Sequence, residues 1–151
     1  MIRLATLEDA FDLAPRLREA DRRELEAQGL VDFDVVLAES LAMSDEPLAF
    51  EVDGEVLALF GCAPGQGYGI PWLLGSESLF EHPRVLLSLP FDYIPVWLAK
   101  YGLLQNMVHG ENLRSIRWLR RLGFSIGAPF TLPGGSQFHP FFMRQDLCAG
   151  P

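Results

Sequence analysis

A chain of 151 residues, 49% of them apolar, is long enough to bury its own core, which excludes a disulfide-stapled miniprotein and a disordered chain. Its formal net charge of −8 works against non-specific nucleic-acid binding. No apolar run is long enough to span a bilayer, and no signal-peptide core follows Met1-Ile2-Arg3. One cytoplasmic domain over residues 1–151, with no membrane contact, is therefore expected. Cys62 and Cys148 lack any Cys-x-x-Cys or Cys/His ligand spacing, so reduced thiols and no metal centre are expected.

In chain order, Ile2–Thr6 reads as a strand. Thr6-x-x-Asp9 has the spacing of a capping box for the helix that follows. Ala10, Leu13, Leu17 and Ala20 form its apolar stripe, with Pro15 as a kink or break. The stretch from Arg16 through Arg18, Glu19, Asp21, Arg22, Arg23 and Glu24 reads as exposed ion pairs. A second helix is predicted over Asp34–Met43. Pro47–Val52 and Glu55–Ala63 follow as strands joined by Asp53-Gly54, a strong two-residue hairpin signal. Gly65-Gln66-Gly67-Tyr68-Gly69 looks superficially like a phosphate loop, but it joins two strands. No helix N-terminus stands behind it to supply free donors.

Ile70–Leu74 is a central strand. Arg84–Tyr101 is apolar and helical, and Pro90 and Pro95 break it into pieces. Leu103–Val108 is the next buried strand, followed by a turn at His109-Gly110 and a helix from Asn112 to Leu122. Asn112 is the N-cap and Gly123 the left-handed stop. Phe124–Leu132 and Gln137–Arg144 are the last strands, turned at Pro133-Gly134-Gly135. This βααβββαβαββ order predicts an α/β fold, a mixed central sheet flanked by helices. Trp72, Trp97, Trp118, Leu119, Leu122 and Phe124 are the expected core around the last helix. Charge is unevenly placed: residues 8–55 hold fifteen acids and four arginines, whereas 111–124 hold one acid and four arginines.

The run Asn112-x-x-Ser115-x-x-x-Leu119-x-x-x-Gly123-Phe124, with the element order, resembles the Gcn5-related N-acetyltransferases (GNAT). That resemblance implies an acyl-CoA site beside a splayed pair of central strands. The pyrophosphate would sit on backbone donors of a glycine-rich loop before the central helix. By order this loop is Ser76–Pro83, which has no glycine and carries Glu77 and Glu81. The Tyr that the family uses as general acid is replaced by Leu119, which donates no proton. Tyr93, Tyr101 and Ser115 lie nearby but are substitutes only in a loose sense, and packing is their expected role. Glu77 and His109, at the ends of the two central strands, are the candidate catalytic residues, while Leu73, Leu74, Arg84 and Asn112 are the candidate cofactor-binding ones.

A narrower resemblance rests on Ile70-Pro71-Trp72-Leu73-Leu74-Gly75 together with Asn112–Phe124, and on Leu17–Glu24. These segments are similar to the small gene-13-type GNAT-like proteins of short-tailed bacteriophages. That implies a catalytically degenerate protein in virion assembly or a minor virion component, with phage structural proteins as partners. It also implies residence in the host bacterial cytoplasm or the virion, and leaves room for a homo-oligomer. The alternative is an active transferase acting on an amine of host or phage, with acetyl-CoA as cofactor.

Overall fold

The computed structural model describes residues 1–145; Cys148 lies outside the described residues. Strand β1 (Ile2–Leu4) leads into helix α1 (Leu7–Leu13). Asp9 accepts the Thr6 backbone N–H at 2.7 Å, the reciprocal arm of the predicted capping box. Pro15 does more than kink this helix. It ends it in a short 3₁₀ turn over Ala14–Arg16, and after extended backbone at Leu17 and Arg18 a new helix, α2 (Glu19–Ala27), starts. Helix α3 (Phe33–Met43) follows.

Strands β2 (Asp45–Val52) and β3 (Glu55–Pro64) form the predicted hairpin, with Val52 opposite Glu55. Asp53 (φ 51°) and Gly54 (φ 80°) are both left-handed, as a two-residue hairpin turn that matches strand twist requires. Strand β4 (Gly69–Gly75) pairs antiparallel with β3 over its whole length. The glycine-rich connection is a tight turn, closed by Gly65 N–H donating to Tyr68 O at 2.8 Å. The apolar segment after Pro83 is a broken helix, as the prolines predict: α4 (Arg84–Ser88), a π turn over Leu89–Tyr93, then α5 (Ile94–Tyr101).

Strand β5 (Leu103–His109), helix α6 (Leu113–Leu122) and strands β6 (Ser125–Ile126), β7 (Phe130–Thr131) and β8 (Gln137–Arg144) complete the chain. The eight strands form one mixed sheet in the order β1-β2-β3-β4-β5-β8-β6, with β7 also on β8. The single long strand expected over Phe124–Leu132 is instead two dipeptide pairings with β8. Ser125 and Ile126 face Phe142 and Phe141, and Phe130 and Thr131 face Phe138 and Gln137. The interruption holds Gly127, where the backbone passes so close to Pro140 that a Cβ would lie 2.6 Å from it.

Two apolar clusters lie on opposite faces of the sheet. One, under α4–α6, includes Phe60, Leu79, Leu104, Ile116, Leu119 and Phe141; the other, under α1–α3, includes Leu13, Leu37, Leu59 and Leu74. Cys62 is buried and unpaired, and burial pushes its thiol up to about 12, the state of an inert core cysteine. Of the six residues expected at the core, Leu119 and Phe124 are buried. Trp72, Trp97, Trp118 and Leu122 are only part-buried. The reason for the tryptophans is a gap in the sheet.

Candidate functional site

Strands β4 and β5 run parallel, yet a single register pair joins them, Gly69 opposite Leu104 at the start of both. Beyond it they diverge. A cavity of about 330 Å³ opens in the gap and is lined by Trp72, Trp97 and Trp118. Diverging strands leave backbone groups that need other partners. Pro71 has no N–H, and its carbonyl accepts from Asn106 Nδ2 at 2.9 Å. At the far end of β4, Gly75 N–H donates to Asp21 at 2.9 Å, and Gly75 O accepts the Arg18 N–H at 2.9 Å. The backbone at both ends of the gap is therefore closed by the chain itself.

Three charged residues on one face of the α2 region, Arg18, Asp21 and Glu24, stand on the cavity wall. The sequence reading placed them among exposed ion pairs, and this is corrected for the first two. Arg18 is 7% exposed and Asp21 2% exposed, with Arg18 Nη2 and Asp21 Oδ1 2.9 Å apart. Burial pushes the Asp21 carboxyl up, against the pull of Arg18 and the Gly75 N–H. Burial likewise raises Glu24 to about 7, the N–H of His109 and the charge of Arg18 opposing it. Arg18 also donates to Ser115 Oγ at 3.0 Å, tying the entry of α2 to the first turn of α6. The signal was available in principle. Positions 17, 21, 24 and 25 form one helical face, and two acids on a face with Leu17 and Leu25 must be buried or lie at a site. Arg23 and Glu19, paired at 2.7 Å on the outer face, are the exposed kind.

The candidate residues fall in different places. Leu73 and Leu74 line the cavity, as does Leu119, which stands where the resemblance calls for Tyr. Glu77 and His109 are not part of the wall. Glu77 accepts the backbone N–H of Glu19 at 2.8 Å, at the start of α2. His109 gives its backbone N–H to Glu24 at 2.6 Å and packs its ring edge-on against Phe138. Glu77 and His109 thus both lean on α2, one at its first residue and the other at Glu24 in its second turn. Arg84 is exposed on α4 and faces a separate depression with His82, Phe50 and Asp53. Asn112 caps α6 through a long 3.4 Å contact from Ser115 N–H, and its buried Nδ2 has no partner. Among the substitutes, Tyr93 packs edge-on against Phe60, and Tyr101 donates to Asp45.

The loop after β4, where the resemblance puts the family's pyrophosphate loop and where the missing glycine and two acids speak against one, is a tight turn. Glu77–Glu81 is a 3₁₀ turn whose Leu79 is fully buried, and the Phe80 ring carries the Arg114 guanidinium at 3.6 Å and that of Arg18 at 5.1 Å. Among the described residues no cluster of three or more His, Cys, Asp or Glu side chains could hold a metal, and no helix is long and apolar enough to cross a membrane.

No protein-family model and no curated protein sequence matches the chain. Solved structures do match over nearly their whole length. The ribosomal-protein-alanine N-acetyltransferase of Brucella melitensis superimposes with a TM-score of 0.70 at 15% identity, covering 96% of this chain and 99% of its own. Ard1 of Thermoplasma volcanium gives 0.71 at 14%, covering 95% and 96%. The PaiA N-acetyltransferase of Thermoplasma acidophilum, solved with coenzyme A, gives 0.66 at 13%, covering 93% and 96%. With the parallel pair splayed at the centre of a mixed sheet, these matches establish that the chain has the GNAT acyl-CoA N-acyltransferase fold.

Proposed function

We propose that this chain is a GNAT-fold binding module that has lost acyl transfer, serving in assembly of a short-tailed bacteriophage particle or as a minor virion component. The observation that carries the loss of catalysis is the glycine-free, acidic turn after β4. A pyrophosphate needs several backbone donors converging on open space. This loop has no glycine and is wound into a 3₁₀ turn over Glu77–Glu81, Glu77 is engaged with α2, and both Glu77 and Glu81 bring negative charge. Leu119 on the cavity wall supports the same reading, because a leucine cannot protonate a departing thiolate. The virion role, phage structural proteins as partners, a homo-oligomer, and residence in host cytoplasm or particle rest on the sequence resemblance alone. Mass spectrometry of purified particles tests them: absence of the chain from both particles and assembly intermediates would remove the assembly role.

One observation favours the second reading, an active acyl-CoA-dependent N-acetyltransferase. Glu24 lines the cavity with a carboxyl raised to about 7, a value suited to a general base. Isothermal titration with acetyl-CoA decides between them. One acid at about 6 Å from the pyrophosphate repels by roughly 3 kcal/mol at an effective dielectric near 20, about a hundredfold in affinity. No heat of binding is expected at moderate ligand concentration. Micromolar binding, with transfer to an amine that Glu24→Gln abolishes, would establish the transferase.

A further inference from the structure

The cavity has a chemistry of its own. Its wall is apolar from Leu25 and Val36 on one face of the sheet, through Trp72 and Met107 in the gap, to Leu86 and Trp97 on the other. Its volume, about 330 Å³, is at the lower end of the range for small-molecule sites. The polar feature at its α6 side is cationic: the guanidinium groups of Arg114 and Arg18 both lie against the Phe80 ring, at 3.6 and 5.1 Å from its centre. Asp21 meets the charge of Arg18 at 2.9 Å. Arg114 has no carboxylate at ion-pair distance among the described residues, in which seven such pairs occur elsewhere. A second, independent sign is Arg18 Nε, an N–H donor in a residue 7% exposed that finds no acceptor at all. A buried donor without a partner is rare and points to a missing acceptor. The one other acid on the wall, Glu24, is held partly protonated near neutrality by burial. The balance at the Phe80 end is therefore positive, beside a mostly apolar space.

We propose that the gap between β4 and β5 binds a medium-chain monocarboxylate, its apolar chain between the diverging strands and its carboxylate against Arg114 and Arg18 beside Phe80. The proposal rests on the reading of the cleft as one that does not take acyl-CoA. A monoanion with an apolar body satisfies both walls. A nucleotide thioester would bring its pyrophosphate to Glu77 and Glu81, and an amine would meet the two guanidinium groups.

Tryptophan fluorescence reports occupancy directly, since Trp72, Trp97 and Trp118 all line the space. Titration with decanoate, decanol and decylamine separates the headgroup from the chain. Decanoate is expected to give a saturable 1:1 change and to bind about tenfold more tightly than decanol, with decylamine weaker still. Arg114 is exposed, so Arg114→Gln should fold normally. It should reduce decanoate affinity about fivefold to tenfold and leave decanol unchanged. Leu73→Trp, which fills the cavity, should weaken both ligands. The proposal is overturned if decanoate gives no saturable change, if decanol or decylamine binds as tightly, or if Arg114→Gln keeps the preference for the acid. Acetyl-CoA in a parallel cell distinguishes the two readings. Tight acetyl-CoA binding removes the non-catalytic reading, whereas silence towards both acetyl-CoA and decanoate removes only the carboxylate site.

Discussion

The backbone N–H of His109 donates to Glu24 Oε1 at 2.6 Å, so the end of β5 is fastened to α2 across 85 residues of chain. The acceptor is a carboxyl that burial lifts from its ordinary 4.5 to about 7. Below pH 4.5 the folded and unfolded chains both hold that proton. Between about 4.5 and 7 only the folded chain keeps it, so stability from this group falls as pH rises through that window. The full penalty is present above pH 7 and amounts to about 3 kcal/mol at most, less with solvent screening. Glu24→Gln keeps an acceptor for His109 and removes the charge. Urea unfolding should find it more stable than wild type at pH 8 by roughly 1–3 kcal/mol, and nearly equal at pH 4.5. Equal stabilities at pH 8 would mean that Glu24 is solvated.

Asp21 is the most deeply buried charged group, and Arg18 and the Gly75 N–H are its partners. Removing one member of such a pair strands the other, so Asp21→Ala should lose about 3–5 kcal/mol in chemical denaturation. The double replacement Arg18→Met with Asp21→Leu should recover most of that. It should fall short by about 1–3 kcal/mol for the orphaned Gly75 N–H. Additive losses in the double variant would show that the two residues act independently.

Trp118 lines the cavity rather than the packed core, and this lowers what its removal should do. Loss of a fully buried tryptophan costs about 3–5 kcal/mol, while a part-buried one beside an existing void should cost nearer 1–2 kcal/mol. Thermal melts of Trp118→Ala check this, and a loss above about 4 kcal/mol would place the indole in the core.

Gly69 stands where β4 and β5 are joined, opposite Leu104. A Cβ there would lie 2.6 Å from the Tyr101 ring and 2.8 Å from Cys62 Sγ. The Tyr101 hydroxyl is held by Asp45 and Cys62 is in β3, so neither can yield freely. Gly69→Ala should therefore destabilise by about 1–3 kcal/mol and loosen the only pairing that sets the splay. An unchanged melting temperature would show that the Tyr101 ring swings aside.

Local physics made much of the fold legible. Thr6 with Asp9, Asp53-Gly54, the prolines at 90 and 95, and Asn112 with Gly123 each act within a few residues, and each element begins, turns or ends where they stand. The apolar face of α6 likewise followed from 3.6-residue spacing, with Ile116 and Leu119 buried. The absence of glycine from 76–83 and the leucine at 119 were also plain in the chain, because they are identities rather than positions.

The gap in the sheet was decided elsewhere. That β4 and β5 meet at one pair and then part depends on what packs above and below them, and no residue in either strand announces it. The splay turns Trp72, Trp97 and Trp118 from core into wall. It also brings Arg18, Asp21 and Glu24 from an apparently solvated helix into the same wall. A charged run on a helix reads as exposed because most are. Here Gly75, paired with β3 but without a partner on its β5 side, needs a donor and an acceptor, and Arg18 and Asp21 supply them from 57 and 54 positions away. Periodicity tells which residues share a helix face. Only the tertiary packing, by leaving backbone groups to be satisfied, determines where that face must lie.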